Sequence, residues 1–196
     1  MKPETPAPFV ERAWWPDVPA AIADLLAGRP VHYHQAIRRY LAAPAPPRPG
    51  ARALDVCCGV GQGSLILRRK GWKVSAFDHS RQATDLLRAH GITFSWCAFA
   101  DFAHDPLFPY QLVTCCDALE HLAHPSRVLG RVRDWLASDG RLWLCVPLEG
   151  DVPSRNPFHL NAWSRRSLLQ LLTDTGWTVE LEVEAALPNQ FWGVLK

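Results

Sequence analysis

The sequence predicts a doubly wound α/β domain built on a mostly parallel sheet, with a helical cap ahead of it. Three observations carry that prediction. From residue 50 onward, short apolar runs alternate with amphipathic helical segments, the rhythm of crossover units whose sheet is covered on both faces. The first such run ends in an acid and leads into alternating glycines that open a helix, "LDVCCGVGQGS". The last two apolar runs are joined by "AALPN", too short for a crossover. That link requires an antiparallel pair, so the sheet is mixed at its C-terminal end.

The elements follow in order. Residues 1–16 are rich in proline and expected to be irregular, with Trp14 and Trp15 as an apolar anchor. "DVPAAIADLLAG", Asp17 to Gly28, has an acid at its start, helical spacing at Ile22, Leu25 and Leu26, and a glycine stop. "HYHQAIRRYLAA" continues as a second helix. "PAPPRPG", Pro44 to Gly50, suits neither helix nor inner strand and reads as a stiff linker. Residues 1–49 therefore form the cap and linker, and residues 50–196 the main domain.

Within that domain "ARALDVCC" is the first strand and "GQGSLILRRKG" a helix closed by Gly71. "WKVSAFD" is the second strand, and "SRQATDLLRAHG" a helix with Ser80 as N-cap and Gly91 as stop. "ITFSWCAF" and "QLVTCCDAL" are the third and fourth strands. "PSRVLGRVRDWLASDG" is a helix and "RLWLCVP" the fifth strand. "SRRSLLQLLTDTGW" is the last helix, ahead of strands near "TVELEVE" and "QFWGVLK".

Composition narrows the function classes. The 196 residues carry a formal net charge of +2, too little for a phosphate-binding surface, and Arg38-Arg39 and Arg165-Arg166 read as solvated pairs. Nucleic acid is therefore not the expected partner. No apolar run reaches the roughly 20 residues of a membrane span, and the N-terminus lacks the basic-then-apolar order of a signal peptide. The expected compartment is the cytoplasm, where thiols stay reduced. None of the six cysteines forms a Cys-x-x-Cys pair. Cys57-Cys58 and Cys115-Cys116 are adjacent, so in a strand their side chains point to opposite faces. They read as buried, structural residues.

The glycine loop and the next acid point to a nucleotide-like ligand. In a doubly wound sheet, ligands bind beyond the carboxyl ends of the strands where strand order reverses. Gly59, Gly61 and Gly63 follow the first strand there. Glycine allows positive φ and lets a ligand lie against bare backbone. Asp78 ends the second strand roughly 20 residues further on, where a carboxylate can accept from both hydroxyls of a ribose. Its alternative task is to help cap the next helix with Ser80.

Two cofactor classes fit. Dinucleotide sites favour Gly-x-Gly-x-x-Gly, whereas here the third glycine comes one residue early. Asp55 also precedes the loop, and a carboxylate there would repel a pyrophosphate and suit a cationic ligand. S-adenosylmethionine carries a sulfonium and an ammonium and no phosphate, so the charge pattern favours it over a nicotinamide cofactor.

These motifs resemble the class I S-adenosylmethionine-dependent methyltransferases, with their Rossmann-like seven-stranded sheet ending in an antiparallel pair. "LDVCCGVGQG" is similar to their first motif. "YQLVTCCDALEHLAHPSRVLGRVRDWLASDGRLWLCVP" is similar to their fourth-strand, helix and fifth-strand block. "FHLNAWSRRSLLQLLTDTGWTV" resembles the tail of the branch containing the ubiquinone-biosynthesis-type O-methyltransferases. The resemblance implies that Asp55, Gly59 and Gly61 surround the methionine part of the donor and that Asp78 holds its ribose. Residues after the third strand, Phe99 or Asp101, would flank the adenine, and Asp117 would line the same pocket.

"DALEHLAH" adds Asp117, Glu120 and His121 just past the fourth strand. In a helical turn, spacings of three and four set Asp117 beside the other two. With His159 from "NPFHLNAWS", they resemble the acid-x-x-Glu-His plus distant His set of metal-assisted methyltransferases. Those act on catechol-like quinone precursors or RNA 3′-terminal riboses. The metal reading takes Asp117, Glu120, His121 and His159 as ligands of a divalent ion, Mg or Zn. The other reading has Glu120 and His121 lining the donor pocket without metal, with His121 or His159 as the general base. Trp14, Trp15, His32, Tyr33 and His34 would dock the cap to the core or form a lid over the acceptor.

The sequence thus reads as a methyltransferase acting on a small-molecule hydroxyl. An inactive donor-binding partner subunit and an enzyme acting on RNA or another macromolecule are its alternatives. No pattern specifies an oligomeric state.

Overall fold

The structure, a computed structural model, describes residues 27, 48–81, 83–150, 156–182 and 189–196. The two expected cap helices, most of the Pro-rich linker and the "AALPN" link lie largely or wholly outside those residues. So do Trp14, Trp15, His32, Tyr33 and His34.

In chain order the elements are β1 (Arg52–Val56), α1 (Gln62–Arg69), β2 (Lys73–Asp78), α2 (Thr84–Ala89), β3 (Thr93–Trp96) and a 3-10 turn (Phe99–Asp101). β4 (Tyr110–Cys116), a second 3-10 turn (Leu119–His121), α3 (Pro125–Trp135) and β5 (Leu136–Pro147) come next. α4 (Arg165–Asp174), β6 (Val179–Glu182) and β7 (Gln190–Leu195) complete the domain. Among the described residues the sheet has seven strands in the order β3-β2-β1-β4-β5-β7-β6. β1 pairs in parallel with β2 on one side and β4 on the other, which puts the reversal of strand order between β1 and β4. β7 enters between β5 and β6 and runs antiparallel to both. The mixed, doubly wound architecture is the one the sequence predicts.

Alternation along the strands divides the core between two faces. Leu54 and Val56 of β1, Val113 and Cys115 of β4, and Leu142, Leu144 and Val146 of β5 pack on one face. They meet Val128, Leu129, Val132 and Trp135 of α3 and Leu168 and Leu172 of α4. Ala53, Leu112, Trp143 and Cys145 face the other side, against Leu65, Ile66 and Leu67 of α1 and Leu87 of α2. The adjacent cysteines split between these faces: Cys57 and Cys115 pack with the first cluster, Cys58 and Cys116 with the second. All six are free thiols, and burial pushes the Cys57, Cys58, Cys115, Cys116 and Cys145 thiols well up.

Local boundaries depart from expectation in three places. Ser80 is not the cap of α2: the helix begins at Thr84 behind Ala83, and the Ser80 N–H donates to Asp78 Oδ1 at 2.8 Å. The third strand stops at Trp96, and Phe99–Asp101 curls into a 3-10 turn. α3 ends at Trp135 rather than at Gly140. Trp135 completes the buried stripe, and Leu136 turns extended (φ −82°, ψ 145°) to pair with Tyr110 across an irregularity in the ladder. α4 begins as expected for a serine cap, Ser164 Oγ accepting from Ser167 N at 3.1 Å. No helix among the described residues is long and apolar enough to cross a membrane.

Candidate active site

The crevice at the carboxyl ends of β1 and β4 is built from the glycine loop outward. Gly59 (φ 53°) and Gly61 (φ 82°) both hold left-handed backbone, so the chain can fold tightly over the strand end before entering α1. A Cβ on Gly59 would meet nothing within 4 Å, whereas one on Gly61 would strike Leu87 Cδ2 at 2.5 Å. Among the described residues Gly59 thus borders open space, and Gly61 lets the loop seat against α2. Gly63 serves a third purpose: a Cβ there would sit 3.0 Å from Asp55 Oδ2.

That contact changes the task of Asp55. Its side chain is buried. Oδ2 accepts from Ser64 Oγ at 2.6 Å and Oδ1 from Thr114 Oγ1 at 2.8 Å. Burial raises its carboxyl, opposed by the two hydroxyl bonds. Asp55, expected beside the methionine part of a donor, ties the start of α1 to β4 beneath the loop. Neither Ser64 nor Thr114 was singled out by sequence, although both belong to segments that were.

Asp78 lies at the crevice and also organises it. Its Oδ2 accepts from the Gly59 N–H at 2.9 Å and its Oδ1 from the Ser80 N–H at 2.8 Å. One carboxylate therefore fixes both the glycine loop and the turn after β2. His79 Nδ1 also lies 3.3 Å from Oδ1, whereas Oδ2 keeps a second lone pair for a ligand. Beside it, at the paired position on β3, Trp96 is 56% exposed. Its indole N–H donates to His79 O at 2.8 Å, and the Arg81 guanidinium lies 3.5 Å over its ring. Sequence reasoning missed this wall.

The turn after β3 is clamped from α3. Arg131 donates to Ala100 O at 2.7 Å and Phe102 O at 2.9 Å. Phe99, one adenine candidate, packs its half-buried ring on Trp135 at 5.3 Å and Phe77 at 6.0 Å. Asp101, the other, is exposed.

Past β4 the structure gathers three of the four expected ligands. One donor atom each from Glu120, His121 and His159 lies within 4.8 Å of the others. Asp117 does not belong to the group. The expected helical turn is a 3-10 turn beginning at Leu119. Asp117 precedes it in left-handed backbone (φ 46°), with its Oδ1 accepting from the Cys145 thiol at 3.5 Å. The three- and four-residue spacings therefore do not bring it to Glu120 and His121.

Glu120 is 1% exposed, and its Oε2 has no hydrogen-bond partner among the described residues. Burial, with Asp117 adding, pushes its carboxyl up to about 8. His121 donates from Nδ1 to Phe158 O at 2.8 Å, which places the neutral ring's lone pair on Nε2, 3.9 Å from Glu120 Oε1. Burial lowers the His121 imidazole from its ordinary value. The His121 and His159 rings meet edge to face with centroids 4.9 Å apart.

Backbone and amide bonds bring His159 to this turn. Leu160 N and Asn161 N both donate to Glu120 O, at 2.8 and 3.1 Å. Asn161 Nδ2 donates to Leu122 O at 2.8 Å. His159 itself is held by Glu149 Oε2 and by the Asn156 amide, each at 2.8 Å. Glu149, Asn156 and Asn161 carry no local signature that marks them in the sequence.

Comparison with known proteins agrees with this architecture. A family model described as a methyltransferase domain matches residues 29–182. The ubiquinone biosynthesis O-methyltransferase of Xylella fastidiosa (strain 9a5c) is 29% identical over 122 residues, 59% of this chain and 50% of its own length. The chain thus spans about half the length of the curated relatives it matches. An S-adenosylmethionine-dependent methyltransferase from Clostridium acetobutylicum ATCC 824 superposes with a TM-score of 0.67 at 14% identity, covering 90% of this chain and 96% of that one. The 1,6-didemethyltoxoflavin-N1-methyltransferase of Burkholderia thailandensis, solved with S-adenosylhomocysteine bound, gives 0.67 at 19% identity, covering 97% and 91%. With the family model spanning most of its length, and a glycine loop, strand-end acid and sheet order to match, the chain belongs to the methyltransferase-domain family of class I, S-adenosylmethionine-dependent enzymes.

Proposed function

We propose that the protein transfers the methyl group of S-adenosylmethionine to a hydroxyl of a small organic acceptor bearing two vicinal hydroxyls, with a divalent ion assisting. The grouping of Glu120, His121 and His159 at the carboxyl edge, beside the glycine loop, is the observation that carries this reading.

The donor's place follows from the loop. Open space over Gly59 accepts the methionine part, and the remaining lone pair of Asp78 Oδ2 suits a ribose hydroxyl. Trp96 offers an aromatic surface near the adenine, with the clamped Phe99–Asp101 turn beyond it. The sulfonium supplies an already activated methyl, so the protein's task is alignment and exclusion of water. No protein nucleophile is required.

The three-residue donor set fits a divalent ion. Glu120 Oε2 is a buried acceptor lacking a partner. Two imidazoles and one carboxylate suit a borderline ion such as Zn better than Mg, which favours oxygen. Glu120, His121 and His159 would hold it, and it would lower the pKa of bound hydroxyls. Asp117 is not part of this set. In the absence of a metal, Nε2 of His121 carries the lone pair and is placed to accept the acceptor's proton.

The test is methyl transfer from labelled S-adenosylmethionine to a panel of catechols and monophenols, with chelator and with added Zn²⁺ or Mn²⁺. Transfer to catechols over monophenols, lost on chelation and restored by metal, is expected. Chelator-resistant transfer would remove the metal. Donor binding without transfer to any member of the panel would favour the inactive partner subunit or a macromolecular acceptor.

A further inference from the structure

We infer that Glu149 is a positioning residue for His159, orienting its ring with the proton on Nδ1 and the lone pair on Nε2. The inference rests on the functional reading above, in which His159 takes part in the site.

The hydrogen bonds determine the tautomer stepwise. Phe158 N–H donates to Asn156 Oδ1 at 3.0 Å, so the other end of that amide is its NH₂ group. Asn156 Nδ2 then donates to His159 Nε2 at 2.8 Å, which requires a lone pair on Nε2. The ring proton of neutral His159 therefore sits on Nδ1, where it is donated to Glu149 Oε2 at 2.8 Å. A carboxylate that accepts from one imidazole nitrogen orients the ring and raises the basicity of the other.

The Glu149 backbone is anchored on both sides. Leu148 N donates to Asn189 O at 2.7 Å and Gly150 N to Trp163 O at 3.1 Å. The pair is partly enclosed, with the His159 side chain 9% exposed and that of Glu149 28%. It is thus unlike an exposed ion pair, whose contribution is small. Asn156 supports the same tautomer from the other side of the ring by donating to Nε2 at 2.8 Å. Asp117, the acid expected from sequence to complete this group, accepts from the Cys145 thiol at 3.5 Å and acts on Glu120 and His121 through its charge.

The deciding measurement is the nitrogen-15 NMR spectrum of the histidine rings in the full chain, which needs neither acceptor nor metal. Wild type should show His159 protonated at Nδ1. Glu149→Ala should weaken that tautomer preference, leaving only the Asn156 bond to hold it, and Glu149→Gln, whose amide oxygen can still accept, should keep it in full. Steady-state kinetics then give the catalytic consequence. Glu149→Ala should lower kcat/KM for the acceptor about 10- to 100-fold, and Glu149→Gln should recover part of the loss. Thermal melting and S-adenosylhomocysteine titration, the latter expected within twofold of wild type, show that the variants are folded. His159 protonated at Nε2 in wild type would overturn the inference without any variant. So would a Glu149→Ala spectrum or kcat/KM that matches wild type. A wild-type chain that transfers no methyl to vicinal diols would instead refute the functional reading and leave the spectrum to judge Glu149.

Discussion

Two glycines of one loop should fail in different ways when replaced by alanine. Gly59 and Gly61 both have positive φ, so each alanine variant takes on left-handed strain of roughly 1–2 kcal/mol. Only at Gly61 is there also a collision, with Leu87 Cδ2 at 2.5 Å and Cγ at 2.9 Å. Leu87 is fully buried and cannot swing aside into solvent, which adds the roughly 1–3 kcal/mol typical of overpacking. Gly61→Ala should therefore cost about 2–5 kcal/mol, and Gly59→Ala only the first part. At about 2–4 °C per kcal/mol for a chain of this size, the melting temperature should fall by roughly 5–15 °C for Gly61→Ala and by a few degrees for Gly59→Ala. Binding should show the reverse ranking. The methyl of Gly59→Ala projects into the space assigned to the donor and should weaken S-adenosylhomocysteine at least about tenfold, some 1.4 kcal/mol. Circular dichroism melting and titration calorimetry on the two variants read both quantities. Equal melting temperatures would mean that Leu87 yields freely. Unchanged affinity in Gly59→Ala would mean that the donor does not cross that glycine.

Two further outcomes follow from the carboxylates. Asp78→Ala leaves the Gly59 and Ser80 N–H groups without their acceptor, and at about 1.5–3 kcal/mol per charge-assisted bond donor affinity should fall by roughly a hundredfold or more. His159→Ala should bind the donor normally in the same titration, and equal affinities for the two variants would displace the ribose from Asp78. Glu120, raised from 4.5 to about 8, favours folding while protonated. That contribution is complete below about pH 4.5 and is lost as pH rises towards 8. In chelator, Glu120→Gln should melt close to wild type at pH 5 and gain on it by about 3 kcal/mol at pH 7. Parallel melting curves from pH 5 to 8 would show that the carboxyl titrates normally.

What the sequence made legible was whatever depends on near neighbours. Alternation and helical spacing placed seven strands and four helices, and the short link before Gln190 already implied an antiparallel partner for β7. It did not show that β7 enters between β5 and β6, because that depends on which edge a strand meets in space. Boundaries moved where the chain turned extended to pair in the sheet, as at Leu136, which ends α3 at Trp135 and pairs with Tyr110. In the site, Glu120 and His121 could be paired with a distant His159 through the family resemblance. Asp117 was misplaced because three- and four-residue spacing assumes a helix, and the chain makes a left-handed residue followed by a 3-10 turn. Glu149, Asn156 and Asn161 were invisible for another reason. Their partners are set by how the loop after β5 folds back on the turn after β4, which no periodicity records.

The insertion of β7 has a consequence for how the sheet is assembled. During synthesis β5 emerges well before the strand that will lie along its open side, so the edge bearing Trp143, Leu144 and Val146 must wait unpaired for Gln190–Leu195. An unpaired apolar edge invites association with another chain. The nascent sheet is thus most exposed to aggregation in the interval after β5 and before β7 is released.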